Sequence, residues 1–164
     1  MIRSHERFYS NELADVDASR IVAQPSNRGT GVAIIAALLH LLKSDPGAIV
    51  GFFPSDHYFA DDAAFATTVR LAIEVSRKHP DSIVLLGAKP QWPEVEYGWI
   101  EPGASMTSGS GKPLFNVNRF WGKPPLAEAR HLMKTGGLWN TFVTIGYAEC
   151  IAETVNRYRA VGSL

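Results

Sequence analysis

At 164 residues, 46% of them apolar, the chain is long enough to bury the core of one compact domain, and nothing in it demands a second. Lysine plus arginine equals aspartate plus glutamate at 16 each, so the overall field draws the protein neither to nucleic acid nor to an anionic membrane, and any basic site must be local. The single cysteine, Cys150, excludes an intrachain disulfide, fits a reducing compartment and reads as a buried, inert thiol in an apolar run.

In chain order, the N-terminus Met1-Ile2-Arg3-Ser4-His5-Glu6 lacks the apolar core of a secretion signal. Arg20-Ile21-Val22-Ala23 reads as a strand, leading through Pro25 and Gly29 into an almost wholly apolar helix over 30–42. The greasy stretch 31–42 is too short for a membrane span, so a soluble cytoplasmic protein is expected. Ile49-Val50-Gly51-Phe52-Phe53 and Ile83-Val84-Leu85-Leu86-Gly87 are continuous apolar runs, the pattern of parallel-sheet strands covered on both faces. Between them Phe65, Val69, Ala72 and Val75 recur at helical spacing, after Asp61-Asp62 and before Arg77-Lys78 and Pro80, which predicts a capped helix. Strand, helix and strand form a right-handed crossover, and a mostly parallel open α/β sheet with helices on both faces follows. Residues 91–111 are rich in Gly, Pro and Ser and predict loops and β-ribbon with a short strand at 97–101. Residues 115–121 alternate as a half-wet strand does, Pro125 opens a helix over 126–134 that stops at Gly136-Gly137, 141–145 is a strand, and a last helix runs over 148–158.

In such sheets ligands collect beyond the carboxyl ends of the strands, so the segments there carry the candidate chemistry. In Gln24-Pro25-Ser26-Asn27-Arg28-Gly29-Thr30-Gly31 the glycines allow close backbone approach, the helix N-terminus favours an anion and Arg28 can pair with phosphate; an ordinary turn and cap would use the same residues. In Pro54-Ser55-Asp56-His57 a carboxylate can hold Mg²⁺ and leave positions open for phosphates, or Ser55 and Asp56 can merely cap a turn. His57 beside Asp56 is a hydrogen-bonding neighbour before it is a catalyst. Gly87-Ala88-Lys89-Pro90, then Pro93 and Tyr97-Gly98-Trp99-Ile100-Glu101, set a glycine between two aromatics, suited to main-chain contact with a sugar ring or to a β-bulge with aromatic packing. In Phe120-Trp121-Gly122-Lys123-Pro124 and Leu138-Trp139-Asn140-Thr141-Phe142, Lys123 offers a point charge for phosphate and Asn140 an amide for sugar hydroxyls, against the alternative of a solvated lysine.

The order and spacing of these segments resemble the sugar-1-phosphate nucleotidylyltransferases, and within them the mannose-1-phosphate guanylyltransferase branch. That branch carries Glu/Gln-Pro-x-x-Arg-x-Thr, matched at 24–30; Pro-Ser-Asp-His, intact at 54–57; and Gly-x-x-Pro-x-x-Pro before Tyr-Gly-Tyr/Trp-Ile, matched by Gly87, Pro90, Pro93 and 97–100. Phe-x-Glu-Lys-Pro and Leu-Trp-Asn-Ser/Thr are answered at 120–124 and 138–141, so the resemblance runs from Ile21 to about Ile151. It implies a Rossmann-like sheet of the nucleotide-diphospho-sugar transferase type, incomplete at its N-terminus, forming a single partial catalytic domain over 1–164. It further implies GTP and mannose 1-phosphate as substrates, GDP-mannose and pyrophosphate as products, and Mg²⁺ as cofactor. By resemblance Asp56 is a metal ligand and, with Lys123, catalytic. Gln24, Arg28, Gly29, Thr30 and Ser55 lie by the nucleotide, and Gly98, Glu101 and Asn140 by the sugar.

Three departures qualify the resemblance. No stretch matches the family's Gly-Gly-x-Gly-Thr-Arg-Leu-x-Pro signature that cradles the triphosphate, no second metal-binding aspartate follows the last helix, and Gly122 stands where the family has the glutamate of Phe-x-Glu-Lys-Pro. The expectation is a fragment with little or no synthesis of GDP-mannose by itself, or else a non-catalytic relative that binds a nucleotide sugar or a partner subunit. A sheet lacking its first strand, with an unpaired edge and a half-covered apolar helix, is expected to self-associate as a homo-oligomer or to aggregate.

Overall fold

The computed structural model describes residues 1–106 and 112–161, apart from the side chains of Thr30 and of residues 158–161. Part of the ribbon loop expected over 91–111 therefore lies outside the described residues. The chain divides into two compact units, one formed by Met1–Ala48 with Ala148–Leu164 and the other by Ile49–Tyr147. No helix among the described residues is long and apolar enough to cross a membrane.

In the first unit, short turns of helix, among them α1 (Glu6–Tyr9), precede α2 (Thr30–Leu42). Alanine, leucine and isoleucine without an internal proline make α2 a strong helix former. It packs against the chain's last helix, α5 (Ala148–Val161), with Leu38, Ala148, Ile151 and Ala152 buried. Val32 and Leu39 of α2 remain exposed. Cys150 of α5 is part-buried rather than enclosed. The strand expected at 20–23 is absent: Ala18–Arg20 forms a 3-10 turn, and the segment makes only an isolated parallel bridge, Ile2 to Gln24. There the Gln24 N–H donates to the Met1 carbonyl and the Gln24 carbonyl accepts from the Arg3 N–H, each at 2.8 Å.

The second unit holds a five-stranded sheet. In chain order it contains β1 (Ile49–Phe52), α3 (Asp62–Lys78), β2 (Val84–Ala88), β3 (Trp99–Met106), β4 (Leu114–Trp121), α4 (Leu126–Lys134) and β5 (Leu138–Tyr147). Asp61 caps α3 by accepting from the Ala64 N–H at 2.8 Å, which satisfies one of the orphan amides of the first turn. Beyond the other helix of this unit, α4, the chain turns at Gly136, whose φ of 88° is open to glycine without strain.

The sheet corrects the expected architecture: each strand pairing within it is antiparallel, so it is not the mostly parallel Rossmann-type sheet. Ile145 of β5 pairs with Gly51 of β1 and with Val84 of β2, so β5 lies between those two strands and runs against both. β1 and β2 therefore point the same way, as a strand-helix-strand unit requires, yet they never touch as neighbours. A continuous apolar run reports that both faces of a strand are covered; it carries no information on the direction of the strand beside it. β1 forms one end of the order β1-β5-β3-β4, with β2 on the opposite side of β5.

Two clusters hold this unit together. Ala72 of α3 closes over Val143 and Ile145 of β5. Ala129 and Leu132 of α4 close over Trp99 of β3, which is wholly buried. Trp99 pairs directly with Trp139 on one side and with Trp121 on the other, a row of three indoles across three strands.

Candidate functional site

The sheet brings together three of the residues singled out in the sequence. The Asn140 N–H donates to the Gly98 carbonyl at 2.8 Å, just beyond the Trp99–Trp139 pair, so β5 and the approach to β3 are locked at this point. A methyl group built on Gly98 would lie 3.7 Å from the Asn140 Cβ and 3.7 Å from the Trp121 carbonyl oxygen, two residues before Lys123. Gly98, Asn140 and the Trp121-Gly122-Lys123 turn thus share one corner of the sheet.

That corner is also where the backbone departs from ordinary geometry. Among the described residues the only non-glycine positions with positive φ are Lys123, at 45°, and Phe142, at 58°. The left-handed region costs such residues on the order of 1–3 kcal/mol. Pro124 adds to the constraint, since a residue before proline is pushed toward extended conformations. Asn140 supports the turn at Phe142 by accepting its N–H at Oδ1, 2.9 Å. Between Leu85 and Gly87 the β2–β5 register shifts, and the Thr141 hydroxyl donates to the Leu86 carbonyl at 2.6 Å within that irregularity. In the sequence Thr141 stands in the Leu-Trp-Asn-Ser/Thr motif, and only adjacency to that motif points to Phe142 as part of this corner.

Lys123 extends its ammonium to Glu96, with Nζ 2.9 Å from Oε2. The loop that carries Glu96 is tied down by Glu94, whose carboxylate accepts from the Val95 and Glu96 amides at 2.8 and 2.9 Å and from the Trp92 indole at 2.9 Å. The Glu96 amide and the Trp92 indole hold the Glu94 carboxyl below the usual carboxylate range.

Glu101 has a different setting. It lies on β3 opposite Arg119, two residues from Trp99 and so on the same face of the strand. Its carboxylate accepts from the Trp121 indole at 2.9 Å and from the Asn118 side-chain amide, and Arg119 stacks over the Trp121 ring at 3.9 Å. The Trp121 donor first, then Asn118, lowers the Glu101 pKa. Both oxygens of Glu101 are thereby engaged on the side of the strand that Trp99 faces, while Gly98 and Asn140 meet on the other.

Asp56 follows β1 on a loop, its side chain 87% exposed, with His57 Nε2 4.0 Å from its Oδ1. Antiparallel register pairs Phe52 with Thr144, so the chain leaving β1 through Pro54 and Ser55 heads along β5 toward Phe142 and Asn140. A cavity of about 240 Å³ opens at this end, lined by Phe59, Asp61, Gly87, Ala88 and Thr141 among others. An apolar groove of about 940 Å³ lies elsewhere on the sheet, over Ile100 and Leu138 between α3 and the β3–β4 ribbon, and contains none of Asp56, Gly98, Lys123 or Asn140. Gly87 owes its identity to packing, because a methyl group there would come within 2.8 Å of the Leu138 side chain.

The remaining candidates belong to the first unit. Gly29 is the N-cap of α2 with φ of 87°, a conformation that favours glycine, and its N–H donates to Asn27 Oδ1 at 2.9 Å. Among the described residues no side chain caps α2. Arg28 is exposed, and Thr30 opens the helix with its side chain outside the described residues. Gln24 Oε1 is buried without a hydrogen-bond partner among the described residues, as is the Trp139 indole N–H in the second unit. Leaving such a group unpaired costs about 1–3 kcal/mol.

Comparison with known proteins shows the family. The nucleotidyl transferase family matches residues 3–161. The xanthan biosynthesis protein XanB of Xanthomonas campestris pv. campestris (strain B100) is 32% identical over 145 residues, 88% of this chain and 29% of that protein. The mannose-1-phosphate guanylyltransferase of Escherichia coli (strain K12) is 31% identical over 162 residues, 94% of this chain and 33% of that protein. The chain thus spans about a third of the length of these relatives. Among solved structures, one described as a mannose-1-phosphate geranyltransferase from Thermus thermophilus superposes with a TM-score of 0.81 at 24% identity, covering 98% of this chain and 48% of that one, a likeness of fold.

Proposed function

The chain belongs to the nucleotidyl transferase family, and from that premise we propose that its site serves transfer of a guanylyl group from GTP to mannose 1-phosphate, yielding GDP-mannose and pyrophosphate. The observation that carries this reading is the meeting of Gly98, Asn140 and the Lys123 turn at one corner of the sheet, where two left-handed backbone positions are maintained at a cost. Two of the four motif segments thereby contribute to one neighbourhood, while the 24–30 turn belongs to the other unit.

In the proposed reaction an oxygen of the sugar phosphate attacks the α-phosphorus of the triphosphate in line, the bond to the β-phosphate oxygen breaks, and pyrophosphate leaves with that electron pair. Positioning and charge neutralisation supply most of the rate in such transfers. Lys123 donates to the sugar phosphate, and the Asn140 amide and Gly98 main chain hold the sugar. Mg²⁺, when bound, neutralises charge on the phosphates. Asp56 is the residue that would hold it, since one exposed carboxylate suits a cation that takes its other ligands from phosphates and water. Among the described residues no cluster of three or more His, Cys, Asp or Glu gathers to cage such an ion.

The sequence holds no match to the triphosphate-cradling signature, so the proposal includes slow or undetectable turnover by this polypeptide alone. Titration of the purified chain with mannose 1-phosphate is expected to show binding that Asn140→Ala weakens about tenfold, the loss of roughly one hydrogen bond to a sugar. Binding that is absent, or indifferent to Asn140, sinks the site assignment. Pyrophosphate release at an enzyme's usual 1–10³ s⁻¹, which is on the order of what complete catalysts achieve, sinks the proposed inactivity.

Gly122, which by resemblance stands where the family has a glutamate, favours a second reading, a relative that retains nucleotide-sugar binding without turnover. GDP-mannose binding without pyrophosphate release would support that reading, and failure to bind GDP-mannose would remove it.

A further inference from the structure

Lys123 is the cation assigned above to the sugar phosphate, yet in the ligand-free protein it already holds an anion, the Glu96 carboxylate at 2.9 Å. Both side chains are largely exposed, 68% and 71%, so the pair adds little to stability and exchanges readily with solvent ions. What distinguishes it from an incidental surface pair is that both ends are pinned. Lys123 leaves the backbone from a left-handed residue locked against Pro124. Glu96 leaves a loop whose amides at 95 and 96 are both taken by Glu94, itself held by the Trp92 indole. Glu96 is also only two residues from Gly98, the main-chain contact proposed for the sugar. Of the two carboxylates on this loop, Glu94 is used up inside the loop and Glu96 is turned toward the cation.

We propose that Glu96 is a built-in competitor for phosphate at Lys123, occupying the ammonium until a phosphorylated sugar displaces it, and so sets how strongly this subsite takes a phosphate. The inference rests on the reading of Lys123 as the sugar-phosphate contact. Its chemical basis is an exchange of like for like. An ammonium gives up a carboxylate and gains a phosphate, and the displaced carboxylate stays close enough to repel the new anion until it swings into water. A neutral sugar offers no charge to drive that exchange. Discrimination between sugar and sugar phosphate therefore falls on the Lys123–Glu96 pair rather than on Asn140 or Gly98.

The test compares three forms of the full chain, wild type, Glu96→Gln and Lys123→Gln, by calorimetric titration with mannose 1-phosphate and, separately, with mannose, each variant being checked for an unchanged thermal midpoint. Glutamine keeps the size of the glutamate and removes its charge. Glu96→Gln is expected to bind mannose 1-phosphate about twofold to fivefold more tightly, the range released by breaking an exposed ion pair, with mannose binding unaltered. Lys123→Gln is expected to weaken mannose 1-phosphate binding. If Glu96→Gln leaves that affinity unchanged or lowers it while Lys123→Gln still weakens it, Glu96 is no competitor, and the phosphate role of Lys123 survives. If neither substitution matters, or the wild type does not bind, Lys123 is not the phosphate contact and both statements fall together.

Discussion

The two sides of β3 and its approach use neighbouring residues for opposite ends. On one side Trp99 is wholly buried under α4 and both Glu101 oxygens are engaged by Trp121 and Asn118. On the other, Gly98 meets Asn140, and beside it Lys123 and Phe142 hold strained backbone with their side chains exposed. The first side encloses its apolar groups and engages the Glu101 carboxylate, and it leaves the Trp139 indole N–H without a partner among the described residues. The corner proposed for the sugar carries exposed charge and backbone strain at Lys123.

Substitutions on the two sides should separate accordingly. The largest effect is expected from Trp99→Ala, which empties the centre of the indole row: about 3–5 kcal/mol lost in chemical denaturation, characteristic of large-to-small changes in a core. A loss below about 1 kcal/mol would show that the α4 face is not the closed side. Gly98→Ala is expected to leave stability within about 0.5 kcal/mol, because its methyl group meets only ordinary contacts, while mannose 1-phosphate binding falls about tenfold as the methyl group intrudes on the ligand. Equal affinity in wild type and variant would remove Gly98 from the site.

The smallest effect concerns acid stability. Hydrogen bonds from Trp121 and Asn118 lower the folded pKa of Glu101, so its contribution is present above the unfolded carboxylate value, about 4.3, and is lost as pH falls through the lower folded value. Thermal midpoints of wild type and Glu101→Gln should therefore differ by a constant amount above about pH 5 and converge as the pH drops below about 4. A difference that persists unchanged at low pH would mean that the Glu101 charge is not what the two donors stabilise.

The elements themselves are largely legible in the residues. The apolar helix over 30–42 and the helix over 126–134 match α2 and α4, and the Asp61 cap stands where the acidic pair announces it. Strands occur where apolar runs predict them, though β3 and β5 extend well past the expected 97–101 and 141–145. Arg20-Ile21-Val22-Ala23 departs from its pattern because β-branched residues favour a strand only when a neighbour exists to pair with, and here pairing stops at a single bridge.

What local sequence determines is the chemistry available: an aspartate after a strand, a glycine between aromatics, a lysine before a proline, an asparagine after a tryptophan. Those features depend on a few adjacent residues, so they survive without knowledge of the fold. Sheet direction, the insertion of β5 between β1 and β2, the face on which Glu101 falls and the capture of Lys123 by Glu96 were decided only in three dimensions. Each is a relation between residues far apart in the chain, and which of them meet is settled by loop geometry and core packing that no short window of sequence contains.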